Sequence, residues 1–167
     1  MSQGFPSFIA LGPDTNNSSA SHSKEEINVF NFMLSNACSL APKIDSFIEN
    51  FNERDIDLCV ITETWFHDDG VPLSLGEGIG VVHAGRPVGR RGGGVGIFFR
   101  KCKMKVVDIT PSFVSHSEIA VSLCSVRGLS RKIICVGAYL TTALDERGAE
   151  AFLEKINDII HLSLIHI

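Results

Sequence analysis

Paired cysteines, clustered histidines and long apolar runs are all missing from this chain. Its five cysteines, Cys38, Cys59, Cys102, Cys124 and Cys135, form no Cys-x-x-Cys pair, so neither a zinc site nor a disulfide framework is expected. Most of them fall in strand-like runs, where cysteine behaves as a small hydrophobe. A reducing, intracellular compartment, nuclear or cytoplasmic, is the expectation. The six histidines are scattered, with no pair four residues apart around a glutamate, which excludes the helical zinc-protease motif. No apolar run is long enough to span a bilayer as a helix; the last one, 159–167, is broken by His161, Ser163 and His166. Residues 1–26 lack a basic start followed by a long apolar stretch, so no secretory signal is expected there. They are rich in Ser, Asn and Gly, with Phe5, Phe8, Ile9 and Leu11 as the sizeable apolar group, and read as a mobile tail.

What is present suits a folded domain. In 167 residues, 44% are hydrophobic, enough for one buried core. The net charge of -4 hides a segregation: from His83 to Val107 there are seven basic residues (Arg86, Arg90, Arg91, Arg100, Lys101, Lys103 and Lys105) and no acid. Such a run is either a solvated edge or the footprint of phosphate and nucleic acid.

The richest segment is Ile56 to Trp65. Leu58-Cys59-Val60-Ile61 reads as a short strand buried on both faces, and it delivers Glu63 to its carboxyl end. Open α/β sheets place ligands at that end, although a glutamate capping the next turn would look the same. An earlier strand runs over Ile27, Val29, Phe32 and Leu34 and ends at Ser35-Asn36. Between the two, Ser39 is a candidate cap, Pro42 sits near a first turn, and Ile44, Phe47, Ile48 and Phe51 recur at helical spacing. A right-handed strand-helix-strand crossover would bring Asn36 and Glu63 to one edge.

Hairpin-like strands follow. They are expected over Ile79 to Val82, Val95 to Phe99, Lys105 to Ile109, Glu118 to Val126 and Lys132 to Tyr139, with a last helix from Leu144 to Ile160 striped by Phe152, Leu153, Ile156, Ile159 and Ile160. The fold class is therefore α/β, or α+β with a mixed sheet, with helices on one side. Gly92-Gly93-Gly94 precedes a strand and lacks Gly-Lys-Ser/Thr, so it is no phosphate-binding P-loop; it reads as a tight entry into the strand.

Taken in order, Asn36-Ala37-Cys38-Ser39-Leu40, Asp57 to Trp65 with its Thr-Glu-Thr-Trp, and Gly92-Gly93-Gly94-Val95-Gly96-Ile97-Phe98-Phe99-Arg100 resemble the endonuclease/exonuclease/phosphatase superfamily. Within it, the match is to the N-terminal half of the apurinic-endonuclease-like domain of non-LTR retrotransposons. The resemblance spans about Ile27 to Tyr139 and implies half of a four-layer sandwich over residues 27–161, with 162–167 as a tail outside the family pattern. In that pattern each half supplies most of one sheet, so a chain holding the first half would leave an apolar sheet face uncovered and prone to self-association.

The resemblance further implies metal-dependent phosphodiester hydrolysis. Glu63 would hold Mg²⁺, with Mn²⁺ as the alternative cation, weakly bound in a truncated site. Asn36 would orient the metal shell and Tyr139 would hydrogen-bond the scissile phosphate; as plain structure, Asn36 is a turn residue and Tyr139 an amphipathic core residue. DNA would contact Arg86, Arg90, Arg91, Arg100 and Lys101, and a reverse transcriptase domain would share the parent polypeptide. Three departures from the pattern weaken catalysis. Cys38 stands where relatives carry Arg or Asp. The Gly-Asp-x-Asn motif that supplies the general base and the Ser-Asp-His segment that completes the site both have no match. The chain is therefore expected to be inactive alone. Two other classes stay open: a phosphoinositide, sphingolipid or nucleotide phosphoesterase of the same superfamily, and a non-catalytic nucleic-acid-binding or interaction module.

Overall fold

Strand β1 (Phe32–Asn36) pairs in parallel with β2 (Leu58–Thr62), and the register sets Asn36 opposite Thr62, one residue before Glu63. This is the crossover that the hydrophobic pattern predicts. The computed structural model describes residues 30–67, 70, 75–86, 92–111, 119–140 and 145–165; residues 1–26, Arg90 and Arg91 lie outside them. Between β1 and β2, a 3-10 turn at Ala41–Lys43 leads into helix α1 (Ile44–Glu53). Pro42 sits in that turn as anticipated, but Ser39 does not cap it; the Ser39 backbone is turned to left-handed φ and its N–H is used elsewhere.

The remaining strands are β3 (Ile79–Ala84), β4 (Val95–Arg100), β5 (Met104–Asp108), β6 (Ile119–Val126) and β7 (Ile133–Ala138), followed by α2 (Glu146–Ile165). They form two sheets, one ordered β1-β2-β4-β3 and the other β5-β6-β7. Apart from β1-β2, the pairings between these strands are antiparallel, which fits the mixed α/β reading.

Alternation along the strands sorts the side chains into three apolar layers. On one face of the first sheet Cys59, Ile61 and Phe98 meet Phe47 and Phe51 of α1. Phe47 and Phe51 are fully buried, and Phe47 meets Phe98 edge-on at 4.9 Å; each such phenylalanine is worth roughly 1.5–3 kcal/mol of burial. On the other face Leu58, Val60, Val95 and Ile97 pack on Ala120, Cys124 and Cys135 of the second sheet. Outside that sheet, Phe152, Ile156 and Ile159 of α2 cover Ile119, Val121, Ile134 and Val136. The order is helix, sheet, sheet, helix.

Three expectations need correction here. The helices lie on opposite outer faces, not on one side, because each sheet has its own apolar outer face to cover. Leu153 and Ile160 are exposed on α2; five apolar positions make too wide a stripe for a single shallow contact. The two sheets also do not divide between halves of a larger fold, since both form within this chain. Phe32 and Leu34, two residues apart on edge strand β1, are exposed apolar side chains at 38% and 59%. Helix α2, for its part, continues past residue 161 to Ile165.

Candidate active site

Two loops clamp the backbone beyond β2. On one side, the N–H groups of Ala37, Ser39 and Leu40 donate to the carbonyls of Thr62, Glu63 and Thr64 at 2.9–3.0 Å. On the other, Thr64 and Trp65 donate to the carbonyls of Gly94 and Gly93 at 3.2 and 3.1 Å. Held between them, Glu63 and Trp65 adopt φ of 56° and 60°, and Cys38 and Ser39 adopt 43° and 77°. For non-glycine residues this left-handed conformation is uncommon, and a bulky tryptophan there is an outlier. Such strain persists where surrounding bonds over-determine the backbone, and it concentrates at functional sites.

Gly92, Gly93 and Gly94 all have φ between 75° and 85°, and this is the property that requires glycine. The triplet is more than an entry into β4. Its backbone strap wraps the Glu63 carboxylate, to which the Gly93 N–H donates at 3.2 Å. A Cβ on Gly94 would lie 2.5 Å from Thr64 Oγ1, so side chains are refused on two grounds.

The Glu63 carboxylate is 9% exposed and well supplied with donors. Besides Gly93, it accepts from the indole Nε1–H of Trp65 and from the Tyr139 hydroxyl. Burial pushes its pKa up, but the hydrogen bonds from Tyr139, Trp65 and Gly93, with the Arg86 charge nearby, outweigh burial and leave it below the ordinary value. Tyr139 responds in the opposite sense: its hydrogen bond to Glu63, with burial and the Glu63 and Cys38 charges, pushes the phenol up to about 12. It reaches Glu63 across the sheets because Gly137 lets β7 approach closely; a Cβ there would meet Val95 at 2.7 Å and Val60 at 3.0 Å.

Asn36, at the end of β1, is exposed and bends its Oδ1 back to accept from the Cys38 N–H at 3.1 Å, with Cys38 Sγ 3.4 Å away. The Lys43 ammonium donates to the carbonyls of Ala37 and Cys38 at 2.6 and 3.3 Å and pins the same loop. The Asn36 side chain is thus bonded within the 36–38 loop, the Ser39 N–H of that loop donates to the Glu63 carbonyl, and Tyr139 donates to the Glu63 carboxylate.

The basic run divides. Arg86 belongs to the site: its N–H donates to the Phe66 carbonyl at 2.9 Å, and its guanidinium lies 5.6 Å from the centre of the Trp65 ring. Arg100 is bonded at the end of α1. Its guanidinium donates to the carbonyls of Ile56 and Phe51 at 3.1 Å and to Asn52 Oδ1 at 3.3 Å, and it lies over the Phe51 ring. There it caps the carboxyl end of α1. Lys103 stands 3.3 Å from the buried Asp57 carboxylate, and Lys101 is exposed.

Sequence reasoning missed Trp65, Gly93 and Lys43 as parts of the site. Three positive-φ-tolerant glycines in a row were the available signal for the strap; the Trp65 and Lys43 contacts span residues two, five and six apart and follow no periodicity.

Among the described residues no group of three or more His, Cys, Asp or Glu side chains could hold a metal ion. One carboxylate and a neighbouring amide suit a hard cation that completes its shell with water and phosphate oxygens. Glu63 Oε2 is already engaged by Trp65 and Gly93, so such an ion would depend on the other oxygen and on a bound phosphate.

The backbone arrangement has counterparts. Among solved structures the chain is similar to an AP endonuclease, LMAP, from Leishmania major (TM-score 0.53, 15% identity, 67% of this chain and 40% of that one). It is also similar to a 3'-5' exonuclease, NExo, from Neisseria meningitidis (TM-score 0.58, 17% identity, 80% of this chain and 52% of that one). The fold, two packed sheets with a helix on each outer face, is shared with these two nucleases over the matched lengths. The chain spans about half or less of those neighbours' length. No family model and no curated protein matches its sequence.

Proposed function

We propose that this chain carries the Glu63 half of a divalent-metal phosphodiesterase site, of the kind found in retrotransposon endonucleases, and acts on DNA. The observation that carries the reading is the over-determined, strained Glu63 carboxylate with Tyr139 beside it, on a fold shared with two nucleases. In this reading Glu63 binds Mg²⁺ or Mn²⁺ together with phosphate oxygens, Asn36 orients its shell, and Tyr139, protonated throughout the physiological range, turns its single O–H from Glu63 to the phosphate when the metal takes the carboxylate. The metal, when bound, supplies Lewis-acid stabilisation of charge on phosphate oxygen. Arg86 and the exposed Lys101 contact the DNA backbone, with Arg90 and Arg91 from the same basic run.

The chain alone is proposed to be inactive, because none of its motifs supplies a general base. A supercoiled-plasmid assay with Mg²⁺ or Mn²⁺ tests this: background nicking is expected, and EDTA-sensitive cleavage abolished by Glu63→Gln would overturn it. Mn²⁺ binding followed by electron paramagnetic resonance tests the metal site separately, with a signal change expected in the wild type and lost in Glu63→Gln.

One observation favours a second reading, a non-catalytic nucleic-acid-binding module: the Glu63 and Asn36 oxygens already have internal donors. Salt-dependent DNA binding that survives Glu63→Ala but fails when Arg90 and Arg91 are neutralised would select it. A lipid or nucleotide phosphoesterase is the remaining alternative, distinguished by hydrolysis of those substrates.

Two partner relationships complete the proposal. A reverse transcriptase domain would adjoin in the parent polypeptide, which the extended reading frame tests, and the site of action would be nuclear or cytoplasmic. Self-association would use Phe32 and Leu34; size-exclusion chromatography should show an oligomer that Leu34→Lys dissociates.

A further inference from the structure

Trp65 is the chain's single tryptophan and remains 39% exposed. Exposure of an indole is unfavourable on its own, and Trp65 also holds a left-handed φ of 60°. The lock on Glu63 uses only the Nε1–H at the ring edge and Arg86 lies over the ring, yet 39% of the residue stays exposed. The ring is held in place: its Nε1–H is tied to Glu63, the Trp65 backbone N–H to the Gly93 carbonyl, and Arg86 lies against the ring. Arg86 is itself placed by a short bridge to His67 and by the Phe66 carbonyl. The result is a rigid aromatic surface at the lip of the Glu63 site, backed by a guanidinium.

We propose that Trp65 and Arg86 form a stacking platform for one unpaired base of a single-stranded or locally opened nucleic acid whose phosphate lies toward Glu63. Every base has a π face and stacks on an indole regardless of sequence, whereas the bases of an intact duplex have both faces covered. Arg86 adds cation–π attraction and charge for the neighbouring phosphate. The platform rests on the phosphodiester reading of the site but needs no metal, and so can be tested with EDTA present.

Because Trp65 is the only tryptophan, its fluorescence reports this surface alone. In EDTA, titration with a ten-nucleotide oligo(dT) should quench the emission saturably, while heparin, a polyanion without bases, and a fully paired duplex should not. Read by fluorescence anisotropy of a labelled oligo(dT), because these variants carry no tryptophan, Trp65→Phe, which keeps a ring but loses the N–H to Glu63, should retain most of the affinity and Trp65→Ala should weaken it about 5- to 100-fold. Quenching by heparin or duplex equal to that by oligo(dT), no oligo(dT) binding, or unchanged affinity in a folded Trp65→Ala would overturn the platform. Loss of Mn²⁺ binding with oligo(dT) quenching intact would instead remove the metal reading and leave the platform standing. The wild-type titration decides the matter even if Trp65→Ala fails to fold.

Discussion

The indole N–H of Trp65 donates to the carboxylate of Glu63, two residues earlier, and both residues adopt left-handed φ to make the bond. Extended backbone would send the side chains of residues two apart to the same face but away from this close meeting. The bond thus depends on the clamp made by the 37–40 loop and the 92–94 glycines.

Removing that donor should raise the Glu63 pKa. The folded carboxyl lies below its ordinary value, so its stabilisation is present in full above the unfolded value of about 4.3 and is lost as pH falls through the lower folded value. Trp65→Phe should move the carbon-13 chemical-shift titration of the Glu63 carboxyl upward. The stability advantage of wild type over Glu63→Gln should be full above the unfolded value of about 4.3 and shrink as pH falls through the lower folded value, as read by urea denaturation.

Tyr139 is the chain's single tyrosine, so phenolate absorbance reads it without interference. Its midpoint is expected at about 12, and Glu63→Gln should bring it down toward ~10. The raised value means that the stabilisation holds below the unfolded value of ~10 and is lost as pH rises through the folded one. Gly137→Val, which forces the sheets apart where a Cβ meets Val95 and Val60, should lower the midpoint in the same way while Glu63 remains in place.

Gly93→Ala places a Cβ at φ of 85° and should destabilise the protein by about 1–2 kcal/mol from backbone strain alone. Gly94→Ala adds the clash with Thr64 Oγ1 and should cost more. Equilibrium denaturation ranks them; equal, negligible losses would mean that the strap does not need glycine.

Arg100→Ala should cost about 1.5–3 kcal/mol, the worth of buried hydrogen bonds from a charged donor, because it uncaps the carbonyls of Phe51 and Ile56. DNA affinity measured at several salt concentrations should keep its slope. A slope reduced by about one charge would instead place Arg100 on the phosphate backbone.

Hydrophobic periodicity and motif order were enough to read the strand-helix-strand unit, the hairpins that follow and the parallel register that sets Asn36 opposite Thr62, next to Glu63. Those features depend on nearest-neighbour chemistry: period two or 3.6, and a crossover of fixed hand. The amphipathic pattern alone did not tell which outer face a helix covers, and so the opposite placement of α1 and α2 was misjudged.

The amino-acid sequence by itself determined the elements, their pairing partners along the first crossover, and the residue types available at the site. Tertiary structure alone decided that Tyr139 reaches Glu63 across two sheets, that the glycine strap closes on the carboxylate, and that Arg86 turns to Trp65 while Arg100 turns to α1. These contacts join residues as far as 76 positions apart through sheet packing and close backbone approach, and no local periodicity encodes such distances.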